Sequence, residues 1–335
     1  MSRNRISLAD DQVLRAGAGI GEVSSRAQIA VAGQDRASYL QGLLTNDIQA
    51  LSPGTGCYAA WLTPQGRMVT DLHVLESGDM ILLDVPAELV DAILARLDQF
   101  LFAEDVQLAS LTGSLRGVWI HGPRAAATLT RVVSGADSLD SWAEYQNARL
   151  EFGSNPVVVA RISQVGVPGF CAYIAPEHHE AFVQALVANG AALVSQDAID
   201  AQRIESGYPV FGVDMTDETI PLEAGIESRA ISFTKGCYVG QEIVIRVLHR
   251  GGGRVARKLV GLRIEGDAPP RGARIVSGDR DIGFVTSVAT SPALGAIGLG
   301  YVHRDFVSPG STVAIAGTSG NQPAAVTAWP MTSAV

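Results

Sequence analysis

CYAAWLTPQGRMVTDLHVLE, residues 57–76, decides how this chain begins to fold. Two apolar, strand-like runs, 57–63 and 67–76, flank Pro64-Gln65-Gly66, and a Pro/Gly turn between two such runs is the signature of a hairpin. The sheet it seeds is therefore antiparallel. Downstream, ESGD at 76–79 turns the chain into a third strand, MILLDV (80–85). Pro86 then opens an amphipathic helix on which Leu89, Val90, Ile93, Leu94, Leu97 and Leu101 recur at three- and four-residue intervals. Upstream, residues 28–31 read as a strand, and Asp35 to Leu44 as a helix with Tyr39, Leu40, Leu43 and Leu44 on one face. TND (45–47) is its exit turn.

A second round of the same elements begins, on this reading, at VQLASL (106–111) and GVWIHG (117–122). It continues through a helix from Pro123 to Val133, the strands PVVVARI (156–162) and FCAYIA (170–175), and the helix HHEAFVQALVANG (178–190). Two rounds without strict βαβ alternation predict an α+β fold of two lobes, each with helices covering one face of a mostly antiparallel sheet. Beyond Gly251 the texture changes to short alternating runs separated by turn residues: LVGLRIEG (259–266), ARIVSG (273–278), DIGFVTSVA (281–289), IGLGYVH (297–303) and TVAIAG (312–317). We expect a separate small β-barrel over 251–335, joined to a two-lobed region over 1–250 at the flexible run Gly251-Gly252-Gly253.

Composition narrows the function. The 335 residues are 47% apolar and 18% charged, enough to bury sizeable cores, which excludes a disordered chain. A net charge of -9 argues against a nucleic-acid or anionic-membrane surface spread over the molecule, while leaving room for a local basic patch. MSRNRISLADDQVLRAG lacks the apolar centre of a signal peptide, and no run approaches a membrane span, so a cytoplasmic protein is expected. The three cysteines, Cys57, Cys171 and Cys237, form no CxxC and have no metal-ligand spacing with histidine. Neither a disulfide framework nor a protein-only metal site is expected.

Several residues invite chemistry. Asp71 sits in mid-strand between Val69, Leu72 and Val74, where a carboxylate either lines a functional cavity or, together with His73, simply meets water. Glu205 ends the helical stretch DAIDAQRIE just before Gly207. Its carboxylate either is solvated or enters a cleft, where it can accept two hydrogen bonds from an N–H and amino group side by side. Cys237 follows Lys235 by two residues and precedes a predicted helix, GQEIVIRVLHR (240–250). An ammonium and a helix N-terminus both favour the thiolate. Cys57 and Cys171, inside apolar strands, read as core. Only two lysines occur, Lys235 and Lys258. Between Arg246 and Arg263 six basic residues (Arg246, Arg250, Arg254, Arg257, Lys258, Arg263) stand without an acid, a stretch that suits an anionic ligand end, an acidic partner or plain solvation.

KGCYVGQE (235–242), with AQRIESGYPVFGVD (201–214), IPLEAGIE (220–227), QGRMVTDLHVL (65–75), VAGQDRASYLQGLLTNDI (31–48) and GFVTSVATSPALGAIGLGYV (283–302), resembles the YgfZ family of folate-binding proteins, relatives of the aminomethyltransferase T-protein of glycine cleavage. The resemblance implies two ferredoxin-like lobes around a folate cleft and a C-terminal β-barrel, with tetrahydrofolate or a derivative as cofactor. It implies a role for Glu205 on the pterin and for Asp71 beside the reactive folate nitrogens. Arg246 would meet the anionic end, and Cys237 would be a functional thiol within the motif Lys235, Gly236, Cys237, Tyr238, Gly240, Gln241 and Glu242. The function so implied is that of an accessory protein for iron–sulfur cluster assembly or repair in client enzymes, tRNA-modifying ones included. Its partners would be folate and iron–sulfur client or assembly proteins, without direct nucleic-acid or membrane binding. The alternative is a folate-dependent aminomethyl or other one-carbon transferase of the T-protein type. Two departures from T-proteins stand out: Thr70 replaces the first of two adjacent aspartates, and no FxGWxMP-like sequence precedes GAGIGEVSSRAQIAVAG, so handling of a lipoyl-bound group is not expected.

Overall fold

The computed structural model describes residues 8–250, 254–317 and 320–331, and of His249 and Arg250 the backbone alone. The Gly251-Gly252-Gly253 joint expected from the sequence lies outside the described residues. Helix α1 (Leu8–Ala16) and the two-residue strand β1 (Gly19–Ile20) come first. A lobe follows, built in the order β2 (Arg26–Ala32), α2 (Arg36–Leu43), β3 (Thr55–Leu62), β4 (Met68–Glu76), β5 (Met80–Pro86), α3 (Val90–Asp98) and β6 (Gln107–Ser110). Its sheet has the strand order β3-β4-β5-β2-β6, antiparallel throughout.

The second lobe repeats this order with β7 (Arg116–His121), α4 (Ala125–Thr130), β8 (Asn147–Phe152), β9 (Asn155–Arg161), β10 (Gly169–Ile174), α5 (Pro176–Ala188) and β11 (Ala192–Leu193). Its sheet order is β11-β1-β7-β10-β9-β8, so β1, from the start of the chain, is inserted between β7 and β11. One expectation is corrected here. The stretch 106–111 does not open the second round: β6 closes the first, pairing with β2 in the register Ile29↔Ser110 to Ala32↔Gln107. Neighbours in sequence belong to different sheets because α3 carries the chain back across the first sheet before it leaves.

Each sheet has one helix-covered face. In the first lobe Tyr39, Leu40 and Leu43 of α2 and Val90, Ile93 and Leu97 of α3 bury Ile29, Val31, Leu72, Val74, Leu83 and Val85. In the second, Ala125 and Leu129 of α4 with Phe182 and Leu186 of α5 cover Val118, Ile120, Phe170 and Ala172. A wholly buried leucine such as Leu40 contributes about 2 kcal/mol by leaving water. The other faces meet each other: Leu75 and Leu82 of the first sheet pack on Trp119, Ala160, Cys171 and Tyr173 of the second. Because side chains alternate along a strand, the residues between those helix-facing apolar ones, Asp71, His73 and Asp84 among them, are directed to this interlobe side.

After α6 (Gln196–Ser206) come the short helices α7 (Pro221–Ala224) and α8 (Glu227–Ala230) and the helix α9 (Gln241–Arg250). The chain then forms β12 (Arg257–Ile264), β13 (Arg274–Ser277), β14 (Arg280–Ser291), β15 (Gly295–His303), β16 (Thr312–Ile315) and β17 (Gln322–Thr327), which close into a barrel in the order β12-β15-β14-β13-β16-β17. The fold is thus α+β lobes with a closed C-terminal barrel. Leu262, Ile275, Val285, Val302 and Ile315 belong to one barrel cluster, while Leu259, Ile297, Leu299 and Tyr301 pack with Ile204 of α6. Arg203 and Asp214 form a buried ion pair at 2.9 Å. Asp214 accepts from the hydroxyls of Thr286 and Ser287 at 2.6 Å, tying α6 to the barrel. Gly207 ends α6 in the left-handed region at φ +76°, and a Cβ there would lie 2.5 Å from the Trp329 indole. No helix among the described residues is long and apolar enough to cross a membrane.

Candidate functional site

On the interlobe face of the first sheet, β4 contributes Asp71 and His73, β3 contributes Tyr58 directly opposite His73, and β5 contributes Asp84 on the other side of His73. Asp71, His73 and Asp84 are 5%, 4% and 0% exposed, which demands partners, since buried charge without compensation is costly. Arg26, from the first residue of β2, supplies one: its Nε is hydrogen-bonded to Asp84 Oδ1, its Nη2 donates to the Asp84 carbonyl at 2.6 Å, and its Nη1 stands 3.5 Å from Asp71 Oδ1. Tyr173 of the second lobe donates to Asp84 Oδ2 at 2.7 Å, Gln28 donates to the same oxygen at 3.3 Å, and Tyr58 donates to Asp71 Oδ2 at 2.8 Å. The result is a buried chain, Tyr173–Asp84–Arg26–Asp71–Tyr58, that crosses from one lobe to the other.

The charges set the protonation of their neighbours. Burial opposes the Arg26 charge, but Asp84 and Asp71 outweigh it and hold the guanidinium more firmly protonated than usual. Burial, then the nearby Arg26 and Arg229, pushes His73 well below the ordinary histidine range, so its imidazole is neutral at physiological pH. Burial and the adjacent Asp71 raise Tyr58 well above its usual value, which leaves it a hydrogen-bond donor.

Arg26, Tyr58, Asp71 and His73 line a narrow cavity of about 40 Å³, partly open to solvent. Its remaining walls come from Tyr145, from the loop Ile162-Ser163-Gln164, from Tyr208 to Phe211 just beyond α6, and from Arg229 of α8. Gln164 donates from Nε2 to His73 Nε2 at 2.7 Å. The Arg229 guanidinium lies over the rings of Tyr208 and Tyr58, 4.3 and 5.5 Å from their centroids, and among the described residues no ion pair reaches it. A second cavity, sharing Val23, Ser24, Val210 and Phe211 with the first, continues towards Glu88, Asp200 and Arg271. Aromatic walls with a few convergent polar groups suit a flat, polar-edged ring.

Of the residues singled out from the sequence, Asp71 is in this cavity and the others are outside its lining. Glu205 is buried on α6, but its Oε2 accepts from Arg15 of α1 at 2.6 Å. Its Oε1 has no partner among the described residues, and it does not line the cavity, whose wall begins three residues later at Tyr208. Arg246 is on the exposed side of α9, paired with Glu242 at 2.6 Å rather than placed at the cavity. The basic stretch around it is partly spent on the barrel joint: Arg257 pairs with Glu223 at 3.2 Å and lies over Tyr301, and Lys258 pairs with Glu227 at 3.8 Å.

The KGCYVGQE segment has a structural reading for most of its residues. Lys235 donates to the carbonyls of Gln41, Leu44 and Asn46 at 2.7, 2.7 and 2.8 Å, pinning the loop to the end of α2. Burial lowers it to about 8, so it is still an ammonium at neutral pH, but its three protons are committed to backbone oxygens rather than to a thiolate. Tyr238 is buried under the first sheet's edge. Gly240, at φ +84°, passes so close to the hairpin tip that a Cβ would sit 2.5 Å from the Thr63 carbonyl, after which Gln241 and Glu242 begin α9. Gly236 and Cys237 are exposed, whereas Cys171 is buried and Cys57 half-buried with its thiol pushed up to about 12 by burial.

Arg26, Tyr58, His73, Gln164, Tyr208 and Arg229 escaped the sequence reading as site residues. The first three carried a signal, since polar side chains alternate with apolar ones in RAQIAVA and in the hairpin. The last three come from loops and a four-residue helix whose approach no local pattern encodes.

The family model described as the GCVT N-terminal domain matches residues 3–235, and that described as the glycine cleavage T-protein C-terminal barrel domain matches residues 257–332. The chain belongs to the glycine cleavage T-protein family. Among its relatives, an aminomethyltransferase of Rubrobacter xylanophilus is 32% identical over 88% of this chain and 78% of its own length. A putative chloroplastic transferase of Arabidopsis thaliana is 28% identical over 91% of this chain and 71% of its own length. The crystal structure of glycine cleavage system aminomethyltransferase T from Bartonella henselae matches with a TM-score of 0.85 at 24% identity, covering 96% of this chain and 88% of that one, a likeness of fold.

Proposed function

We propose that the chain binds tetrahydrofolate in the interlobe cavity and acts with it as a one-carbon transferase of the aminomethyltransferase type. Aminomethyltransferases of the family use tetrahydrofolate as the one-carbon acceptor. The observation that carries the reading is Asp71, a carboxylate 5% exposed, oriented by Tyr58 and Arg26 in the wall of an aromatic cavity. The orphaned Asp71 Oδ1 and the rings of Tyr58, Tyr145 and Tyr208 fit a flat heterocycle bearing N–H groups. Asp71 would stabilise positive charge developing on a folate amine as its bond to the transferred carbon forms. In a site shielded from water that attraction is stronger than in solution. Arg229, free of any acid in the described structure, is the cation best placed for the carboxylates of the folate tail, a role the sequence reading gave to Arg246. Glu205 acts on the pterin only if ligand binding draws it from Arg15. The test is tetrahydrofolate binding together with one-carbon transfer by the purified chain. Binding with turnover that is lost in Asp71→Asn supports the reading, and absence of binding overturns it.

A second reading, favoured by one observation, is the YgfZ-type accessory role in iron–sulfur cluster assembly or repair, tRNA-modifying clients included: Cys237 presents an exposed thiol on a loop held rigid by Lys235. In a deletion strain complemented with Cys237→Ala, loss of iron–sulfur enzyme activity with normal one-carbon flux supports it. The opposite pattern supports the transferase.

A further inference from the structure

Within the buried chain Tyr173–Asp84–Arg26–Asp71–Tyr58, the last three residues line the cavity, whereas Asp84 and Tyr173, both 0% exposed, are outside its lining. One carboxylate would be enough to neutralise the Arg26 guanidinium. Two face it, and the second is the one in the cavity wall.

Asp71 is hydrogen-bonded at one oxygen only. Tyr58 donates to its Oδ2 at 2.8 Å, while Oδ1 has the Arg26 charge at 3.5 Å but no hydrogen-bond partner among the described residues. A carboxylate held at a single oxygen can turn about that bond, so the place of the Arg26 charge settles where Oδ1 points. Arg26 does not fix that place unaided, because it starts on β2 and reaches Asp71 of β4 across the intervening β5. Asp84 of β5 holds it there. Arg26 Nε donates to Asp84 Oδ1 and Nη2 donates to the Asp84 carbonyl at 2.6 Å; with two nitrogens of a rigid planar fork anchored, Nη1 has one position left to it. Asp84 is fixed in turn from the other lobe. Tyr173 of β10 donates to its Oδ2 at 2.7 Å, a shorter bond than the 3.3 Å from Gln28 of the same sheet.

We propose that Asp84 and Tyr173 are positioning residues for the one-carbon transfer: they clamp Arg26 and through it aim Asp71, so that turnover on the first lobe depends on a hydroxyl of the second. The inference rests on the transferase reading and extends it to two residues outside the cavity. A reacting group misplaced by about 1 Å can lose about a hundredfold in rate, and a carboxylate released at one oxygen is displaced on that scale. The cavity lining is unaltered, so the loss falls on kcat and not on KM.

The experiment is steady-state one-carbon transfer by the full chain with tetrahydrofolate as the acceptor, for the natural sequence, Tyr173→Phe, Asp71→Asn and the double variant. Tyr173→Phe keeps the ring in its packing and removes only the donor. It is expected to lower kcat by about tenfold, with KM for tetrahydrofolate within about twofold of the natural value. Added to Asp71→Asn, the same change is expected to lower kcat by less than about twofold further, since residues that act as one unit are not additive. Arg26→Lys gives a second background: it keeps the charge but cannot span Asp84 and Asp71 with one planar group, so kcat should fall at least as far and respond little to Tyr173→Phe. If Tyr173→Phe leaves kcat unchanged, alters KM alone, or costs as much in the Asp71→Asn and Arg26→Lys backgrounds as in the natural protein, the hydroxyl serves the fold alone and the inference fails. If the natural protein transfers no carbon to tetrahydrofolate, the transferase reading itself fails and takes this inference with it.

Discussion

The two lobes are built to the same order, β-α-β-β-β-α-β, yet their facing surfaces differ in kind. The first lobe directs Arg26, Gln28, Asp71, His73 and Asp84 to the space between them, whereas the second answers mostly with Trp119, Ala160, Ile162 and Cys171, its polar contacts on those side chains being the Tyr173 hydroxyl on Asp84 and the Gln164 amide on His73. Strands in equivalent positions thus do different work: β4 carries the charge, and β9 and β10 supply a low-dielectric wall against it. A duplicated scaffold can hold a charged site when one copy pays out its polar residues on one face and the other keeps that face apolar, because the apolar wall strengthens every interaction it encloses.

If the asymmetry matters, breaking the charged side should do the most harm. Asp84→Ala leaves Arg26 buried without its main partner and is expected to lower stability by about 3–5 kcal/mol, read as a shift in the urea midpoint. Tyr173→Phe, the second lobe's share of the same network, should cost clearly less. Equal losses would mean the lobes contribute equally and the contrast is false. Asp71→Asn keeps the shape of the site and is expected to reduce one-carbon transfer by about a hundredfold or more while the protein stays folded by circular dichroism. Unchanged turnover would remove Asp71 from the chemistry.

Each lobe also carries one buried histidine, which offers a comparison by pH. His73 is held neutral by burial and by Arg26 and Arg229, and His121, whose ring nitrogen contacts the Gly21 carbonyl at 3.0 Å, is lowered by burial to about 4. The unfolded chain protonates both near the ordinary value of 6.5, where the folded lobes do not. Below that pH the unfolded state therefore binds more protons, and stability falls as pH drops, by about 1.4 kcal/mol per pH unit for each histidine. For His121 the loss ends near pH 4, and above pH 6.5 neither contributes a slope. Urea midpoints followed from neutral pH down to about pH 5 check this, and His121→Phe should flatten the second lobe's share. The smallest effect is expected at Arg246, an exposed partner of Glu242: Arg246→Ala should leave folate affinity within about twofold, while Arg229→Met weakens it further. The reverse order would restore the assignment suggested by the basic stretch.

Much of the architecture was legible because it is written in local patterns. The hairpin at 57–76, the leucine spacing after Pro86 and the change of texture beyond residue 251 report periodicity, and periodicity survives without tertiary information. The α+β class and the closed barrel followed from them. The membership of β6 did not, because a four-residue strand pairs with whichever edge is open, and the open edge belonged to β2. In the site, Asp71 stood out as a charge in mid-strand, whereas Gln164 and Arg229 had no such mark.

By itself, then, the order of residues determined the elements, the alternation that puts Asp71 and His73 on one face, and the glycines that permit the turns at 66, 207 and 240. The tertiary structure alone decided which charges meet. Lys235 went to the end of α2 rather than to a thiol, Glu205 to Arg15, and Arg26 to the two aspartates. The physical reason is range. Side-chain alternation and helix periodicity act over a few residues, while a buried charge takes the partner that folding brings within about 4 Å, however distant in sequence that partner is.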